Sequence, residues 1–521
     1  MHLASLIDLA AARYPEAEAI IDGDRRLTYH AWQTRIRRVA HALHARGIRP
    51  GDHVVFLLKN RLEHATAYWA CQRIGAIATP LNWRWSAGDI SFCVQDAEAV
   101  AVICEPASHV AAQAARPSLS GVHTWIYVGD PVPTDYLAFS TLLEDDGAAE
   151  APSPAVSESD ISVMLYTSGT TGRPKGVPRT HRAEYSAALA HSLQSRNSLQ
   201  DRTLGVMPLY HTMGIRSTIV MALLNGCLIC LPDWSPEAAA RLIANERISA
   251  LYLVPTLYHD LINAPAFSRE AAKSVTKLGY AGAPMSGTLT RRVAEMFQPQ
   301  VFVNHLGSTE IYTFTICDRI LEKPTCAGRA GVFSQVRIVR ADADRRGDPD
   351  DILPRGETGE LIVSLSSPEA FQGYWRRPEA DAKALRGGWY FSGDLVYADE
   401  DGDIFTVGRV DDMIISGGEN IYPIEVEEVV SRHPQVDEAC VVGLSDQRWG
   451  QVVTAFVVPE RKADGSFVAL SAADLDAFCR QAEDFADFKR PRRYEFVSAL
   501  PKSPTGKLLR RRLLEGGYET L

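Results

Sequence analysis

Tyr166-Thr-Ser-Gly-Thr-Thr-Gly-Arg-Pro-Lys-Gly-Val177 follows Ile161-Ser-Val-Met-Leu165, a run rich in strand formers. The Thr/Ser/Gly run therefore leaves the end of a strand, where open sheets place their ligands. Gly169, Gly172 and Gly176 let the backbone turn its N–H groups inward. Thr167, Ser168, Thr170 and Thr171 supply hydroxyl donors, and Lys175 adds a full charge. Such a loop suits a polyphosphate. It departs from the common ATPase pattern of Gly, four residues, then Gly-Lys-Ser/Thr, because the fifth residue after Gly169 is Pro174 and Lys175 is followed by Gly176. That departure weakens a kinase or GTPase reading. Ordinary turn chemistry accounts for the same composition, so the order of the residues and the motifs that accompany them must decide.

With 521 residues the chain has room for a large core and more than one domain. Its 46 % hydrophobic and 23 % charged residues are ordinary for a globular protein. A net charge of −10 argues against a general nucleic-acid binder. Phe485 to Leu521 runs the other way, with nine Lys/Arg against four Asp/Glu, which fits a local anionic ligand. Nine irregularly spaced cysteines describe no disulfide framework and fit a reducing cytoplasm; Cys227 and Cys230 read as small apolar residues. The first residues lack a basic start and a cleavage pattern, and the apolar stretch Thr218 to Leu231 is interrupted by Asn225 and Gly226, so neither a signal peptide nor a membrane span is expected.

Around the loop, helical and strand patterns alternate. The spacing predicts a helix near Trp32 to Gly47, a strand at His53–Leu58, a helix over Leu62–Ile74 and a strand at Ala76–Pro80. A second alternating unit follows from Leu204 to Phe302. This is the pattern of an α/β domain with parallel strands. Strand-like segments at 336–339, 359–363 and 404–407 then point to a small antiparallel, barrel-like sheet. After Arg409, helices near 423–431 and 472–483 flank strands at 439–442, 453–458 and 494–497, giving an α+β unit of its own. The expected division is residues 1–410 and a smaller domain of residues 411–521, with its boundary at Asp411.

Other stretches carry chemistry. Ser308-Thr-Glu310, after a strand, sets a carboxylate beside hydroxyls, a natural Mg²⁺ ligand at a nucleotide site; the same residues also suit a helix start. Gly279-Tyr-Ala-Gly-Ala-Pro284 is small enough for a planar ring to approach the backbone, or is simply a turn. Met207-Pro-Leu-Tyr-His211-Thr-Met-Gly214 sets an imidazole among apolar residues, where a core role competes with a binding one. Asp394 in Ser392-Gly-Asp394 and Arg409 in Gly408-Arg409 offer the carboxylate and guanidinium that a ribose takes. Gly417 and Gly418 permit close approach of a ligand chain. Lys507, at the tip of Pro501-Lys-Ser-Pro-Thr-Gly-Lys507, is a solvated lysine or an active-site one. Phe488-Lys-Arg-Pro-Arg-Arg493 combines an aromatic face with cations.

These motifs, in this order, resemble those of the adenylate-forming superfamily of acyl-CoA synthetases, peptide-synthetase adenylation domains and luciferases, over nearly the whole chain. The resemblance implies ATP, Mg²⁺ and coenzyme A with a small carboxylic acid. Thr167–Thr171 and Lys175 would hold phosphates, Thr309 a phosphate, and Glu310 the metal. Gly282, Ala283, Pro284 and Leu306 would border adenine, with Leu306 standing where the family usually has Tyr. Asp394 and Arg409 would hold ribose. His211, Gly214, Ile215, Tyr280, Ala281, Ile311 and Tyr312 would line the acyl pocket. Lys507 would enter the site during adenylation. Asp411 would be the hinge between residues 1–410, binding ATP and the acyl group, and a mobile domain of residues 411–521, and Gly417, Gly418, Trp449, Phe488, Arg490 and Arg492 would bind CoA.

The segments at 408–420, 446–450, 333–340 and 486–491 look most like 4-chlorobenzoate:CoA ligases and related aryl-CoA synthetases, whereas Ile215, Ile311 and Tyr312 differ from the chlorobenzoate pattern. The expected acid is a substituted benzoate or phenylpropenoate, with a medium-chain fatty acid next. An enzyme that loads a carrier protein and a nucleotide-binding scaffold are the alternatives; the cations of 489–493 favour CoA, and Glu310 and Lys507 oppose the scaffold. A monomer or homodimer, binding neither nucleic acid nor membrane, completes the expectation.

Overall fold

The computed structural model describes residues 3–144, 155–167, 173–341, 347–417, 419–462, 464–482, 485–502 and 508–521. Two compact units form: Met1–Gln335 with Ser364–Gly388, and Val336–Val363 with Trp389–Leu521.

The first unit holds two sheets. One runs in the order Leu137–Ala138, Thr124–Tyr127, Ala101–Cys104, His53–Leu57, Ile77–Pro80, Ile161–Thr167, Lys175–Thr180; all neighbours are parallel except the last pair, an antiparallel hairpin. The other has a parallel centre, Val301–Leu306, Lys277–Ala281, Ala250–Leu253, Arg202–Gly205, Cys227–Cys230 and Glu18–Asp22, with antiparallel strands on either side of it. Parallel strands buried on both faces read as continuous apolar runs, as His53–Leu57 and Cys227–Cys230 do.

Helix Leu62–Ile74 is buried almost all round, so its sequence shows no polar face. Helix Tyr29–Ala45 instead has a stripe. Trp32, Ile36, Val39 and Leu43 go inward, Thr28 accepts from the Ala31 N–H at its start, and the Trp32 indole donates to Thr66. The apolar stretch from Thr218 divides into the end of helix Thr212–Leu223 and strand Cys227–Cys230, and no described helix is long and apolar enough to cross a membrane.

In the second unit, Val336–Val339, Gly359–Ser364, Trp389–Ala398 and Ile404–Arg409 lie side by side in that order as an open sheet. The expected barrel-like closure is not formed. A further sheet orders Glu419–Ile421, Ile414–Ser416, Gly450–Pro459 and Val436–Asp446, with Arg493–Phe496 parallel to Gly450–Pro459. Helices Pro423–Val430 and Ala472–Gln481 cover it through Val426, Val430, Leu475 and Cys479, which pack on Val441, Val453 and Val457. Asp411 lies within this unit, in the 3₁₀ turn Val410–Asp412 between the two sheets.

Candidate functional site

Strand Ile161–Thr167 returns as Lys175–Thr180, with Thr167 paired to Lys175. The quoted loop is thus the tip of a hairpin; Ser168, Gly169, Thr170 and Thr171 lie outside the described residues. Gly176 lies at the hairpin's base, closely packed. A Cβ there would come within 3.1 Å of the Trp375 side chain, and the Gly176 carbonyl accepts from the Trp375 N–H at 2.8 Å.

The second strand carries Arg179, fully buried. Its Nε donates to Glu184 Oε1 at 2.7 Å. One of its Nη atoms reaches the carbonyls of Glu369 at 2.8 Å, Glu310 at 3.0 Å and Thr309 at 3.3 Å, and its guanidinium lies 3.8 Å over the Tyr312 ring. Arg179 therefore pins the segment Leu306–Phe314 to the hairpin. Of the readings its sequence allowed, that segment is no helix start; it is a tight turn. Ser308 N–H donates to Ile311 O, Phe314 N–H to Leu306 O, and the Ser308 hydroxyl accepts from Glu310 N–H. A Cβ on Gly307 would lie 2.1 Å from Tyr312 O, so only glycine fits.

The turn sets Glu310, 7 % exposed, where Tyr374 donates its hydroxyl to Oε1 at 2.6 Å. The Lys175 ammonium stands 5.2 Å from the same tyrosine ring. One aromatic side chain thus joins the loop's cation to the turn's carboxylate. The donor set fits Mg²⁺: an ionisable oxygen ligand, buried and oriented by a hydroxyl.

Strands Lys277–Ala281 and Val301–Leu306 run parallel with Ala281 opposite His305, so Gly282-Ala283-Pro284 and Leu306 leave the same sheet edge. Gly282, at φ +88°, Ala283 and Pro284 are exposed there. The ring that approaches the backbone at Gly279 belongs to the protein: a Cβ would meet Tyr252 at 2.6 Å. Strand alternation turns Tyr280 to the face opposite Ala281, where it packs 5.9 Å from Phe302. Ile311 and Tyr312 are buried, Tyr312 beneath Arg179. His211 caps the start of helix Thr212–Leu223, half-buried, with its Nδ1 3.2 Å from the Thr212 hydroxyl. Gly214 in the first turn is obligatory, because a Cβ would lie 2.2 Å from Pro208 O. Ile215 follows, buried. Ala281 packs against Met207, Met213, Tyr252 and Val254.

Within the second unit, Asp394 sits directly across from Arg409, and Arg409 donates to its Oδ1 at 2.6 Å and to Ser392 O at 3.2 Å. That carboxylate pulls the guanidinium's pKa further up. Gly393 and Asp394 N–H groups are taken by Glu360 and the Ser392 hydroxyl, so the pair is rigidly framed. Gly417, at φ +60°, lies against Trp449: its N–H donates to Trp449 O at 2.9 Å and a Cβ would meet the indole at 2.8 Å. Phe488 and Trp449 are exposed, and Arg492 partly so. Arg490 departs from expectation: it is buried and bound by Asp476 and Asp487, an anchor for its turn and not an open phosphate ligand. Gly418 and Lys507 lie outside the described residues.

Sequence reasoning missed Arg179, Tyr374 and Tyr252. Pro178-Arg179 directly follows the quoted loop, and Gly373-Tyr374-Trp375 is a compact aromatic pair, but only the folded chain brings them to Glu310.

Residues 7–375 match the family of AMP-binding enzymes, and residues 425–507 match the AMP-binding enzyme C-terminal domain. A feruloyl-CoA synthase of Amycolatopsis sp is 35 % identical over 502 residues, 95 % of either chain. A 4-chlorobenzoate–CoA ligase of Arthrobacter sp is 34 % identical over 515 residues, 98 % of this chain and 94 % of that one. The solved structure of o-succinylbenzoate CoA synthetase from Bacillus subtilis, in complex with its acyl-adenylate intermediate, superposes with a TM-score of 0.82 at 27 % identity, covering 98 % of this chain and 97 % of that one.

Proposed function

The chain belongs to the AMP-binding enzyme family and is an acid–thiol ligase; from that premise we propose that it activates an aromatic acid, a substituted benzoate or phenylpropenoate, as the acyl-adenylate and passes it to coenzyme A. The observation that carries the chemistry is the Lys175–Tyr374–Glu310 arrangement, held to the hairpin by Arg179. The aromatic choice is supported by the relatives named feruloyl-CoA synthase and 4-chlorobenzoate–CoA ligase.

A carboxylate is a poor electrophile because its leaving group would be oxide. Attack of its oxygen on the α-phosphorus of ATP, with the P–O bond to pyrophosphate breaking in line, gives an anhydride whose leaving group is AMP. A thiol then displaces AMP. Little covalent chemistry falls to the protein, so positioning and charge do the work. Lys175 and the loop hydroxyls hold the departing phosphates, the Asp394 carboxylate accepts from ribose hydroxyls, and Lys507 neutralises the approach of carboxylate to phosphorus. Mg²⁺, bound through Glu310, would screen the triphosphate charge. Residues 411–521 turn about Asp411, bringing Lys507 for the first step and Gly417, Gly418 and Trp449 for the second. Nine buried thiols without a disulfide support a reducing compartment.

The test is AMP release that depends on both acid and CoA, across benzoates, cinnamates and C4–C12 fatty acids, with Lys507→Ala as control. Turnover of an aromatic acid, lost in the variant, supports the proposal. Selective turnover of fatty acids refutes the aromatic choice, and adenylation without thioester formation from free CoA points to a carrier-protein acceptor.

A further inference from the structure

The second turn of helix Thr212–Leu223 carries Arg216, which is 2 % exposed. One Nη donates to the Thr313 hydroxyl at 3.3 Å, the other contacts the Met213 thioether, and the buried Nε has no hydrogen-bond partner. Among the described residues no carboxylate forms an ion pair with it. Arg179, by contrast, has a carboxylate and three carbonyls. A thioether is a weak acceptor, and a buried charge is ordinarily paired. Glu369 is the acid whose charge reaches Arg216; burial pushes its pKa up to about 7, against the opposing pull of Arg216 and Arg179, so at neutral pH it offsets only part of the charge.

The surroundings of the guanidinium are polar as well as aromatic. Arg216 stands 5.7 Å from the Tyr252 ring, and the rings of His191 and His305 lie 5.2 and 5.4 Å from that ring. The Tyr252 hydroxyl is 2.7 Å from His305 Nδ1. Burial, with Arg216 adding to it, holds both imidazoles well below the usual range and therefore neutral. This group adjoins Met213 and Ala281, and Ala281 directly precedes the loop expected beside adenine.

We propose that Arg216 determines acyl specificity, and that the acid this enzyme takes carries a second oxygen acceptor, a carboxylate or a hydroxyl, remote from the carboxylate it activates. The acceptor completes the hydrogen bonding of the guanidinium, with Tyr252 and the neutral histidines as its neighbours. This inference rests on the ligase reading above. A site built to bond a substrate oxygen rejects the analogue that lacks it far more strongly than an apolar pocket rejects a change of size.

The experiment uses the full chain and matched acids: cinnamate, 4-hydroxycinnamate and 4-carboxycinnamate, then hexanoate and adipate. KM and kcat for thioester formation are measured separately in wild type, Arg216→Met and Arg216→Lys. In wild type the acceptor-bearing acid should win by about tenfold or more in kcat/KM, chiefly through KM. In R216M that ratio should fall to within about twofold of one, and R216K should keep part of it. Preference for the carboxylated acid assigns an anion; preference for the hydroxylated one assigns a neutral acceptor.

Equal turnover of the matched acids by wild type overturns the inference whether or not R216M folds, as does a ratio that R216M leaves unchanged. The two readings fail separately. Aromatic turnover indifferent to the second group sinks the role of Arg216 alone, whereas adipate favoured over hexanoate, with the cinnamates inert, sinks the aromatic choice alone. If free CoA is refused, the same ratios are read from acid-dependent ATP–pyrophosphate exchange.

Discussion

Tyr374 gives Glu310 a single hydrogen bond at 2.6 Å, and so fixes where the carboxylate proposed to hold Mg²⁺ stands. A bond to a charged group contributes about 1.5–3 kcal/mol. Tyr374→Phe should therefore slow ATP–pyrophosphate exchange roughly ten- to a hundredfold and raise the Mg²⁺ concentration needed for half-maximal rate; an unchanged Mg²⁺ requirement would remove Tyr374 from the site. Glu369 makes a different prediction. Its folded pKa, about 7, lies above the ordinary carboxyl value of 4.5, so the folded chain binds this proton more tightly than the unfolded one. The associated stability is full below about pH 4.5 and is lost as pH rises through 7. Glu369→Gln should gain on wild type in urea denaturation between those values and run parallel above them. At this scale the sequence disclosed Glu310 and Asp394, which sit in short motifs with neighbouring chemistry. It was silent on Arg216, because a charge inside an apolar helix is informative only once its missing counter-charge is seen.

The turn that follows strand Val301–Leu306 exists because Gly307 leaves room for Tyr312 O at 2.1 Å from where a Cβ would stand. Neither group in that contact is a flexible side chain. Gly307→Ala should displace Glu310 and cut exchange on the order of tenfold or more, with a smaller loss in melting temperature. The hairpin is tied to this turn by Arg179. Removing one partner of a buried pair costs about 3–5 kcal/mol, so Arg179→Met should lower the urea midpoint sharply, and the double variant Arg179→Met, Glu184→Leu should recover part of it. The elements themselves were legible: Leu62–Ile74 lies at the expected residues, and the strand expected at His53–Leu58 is His53–Leu57. The turn at Ser308 was not, since serine and glutamate after a strand serve a helix start equally well, and the choice fell to Arg179, which takes the carbonyls a helix would have used. Arg490 misled for a related reason: a basic cluster does not say which of its members Asp476 and Asp487 will claim.

For the molecule as a whole, the proposed two-step cycle turns on the short stretch Val410–Asp412, packed through Val410 with Leu395 and Val407 and flanked by Met413 and Tyr422. Proline fixes φ and stiffens the residue before it. Asp411→Pro should separate the half-reactions: exchange kept within about threefold, thioester formation from acid and CoA reduced on the order of tenfold or more. Equal losses in both would remove Asp411 as the pivot. The open ends of the parallel strands were foreseeable from alternation alone, and so was a division in two, but the bounds of the two compact units were not, because 336–363 joins the later residues by strand pairing that no local pattern announces.

The cysteines carry a practical consequence. All nine are buried, and burial drives the Cys71, Cys93, Cys104, Cys227, Cys230 and Cys440 thiols upward in pKa, away from the reactive thiolate. A maleimide dye offered to the native protein finds almost no address. Cysteines introduced at exposed Val110 and Ser466, one in each unit, would be the only two that answer. The chain is thus already a blank background for donor and acceptor fluorophores, on which the proposed turn of residues 411–521 can be tested as a change in colour.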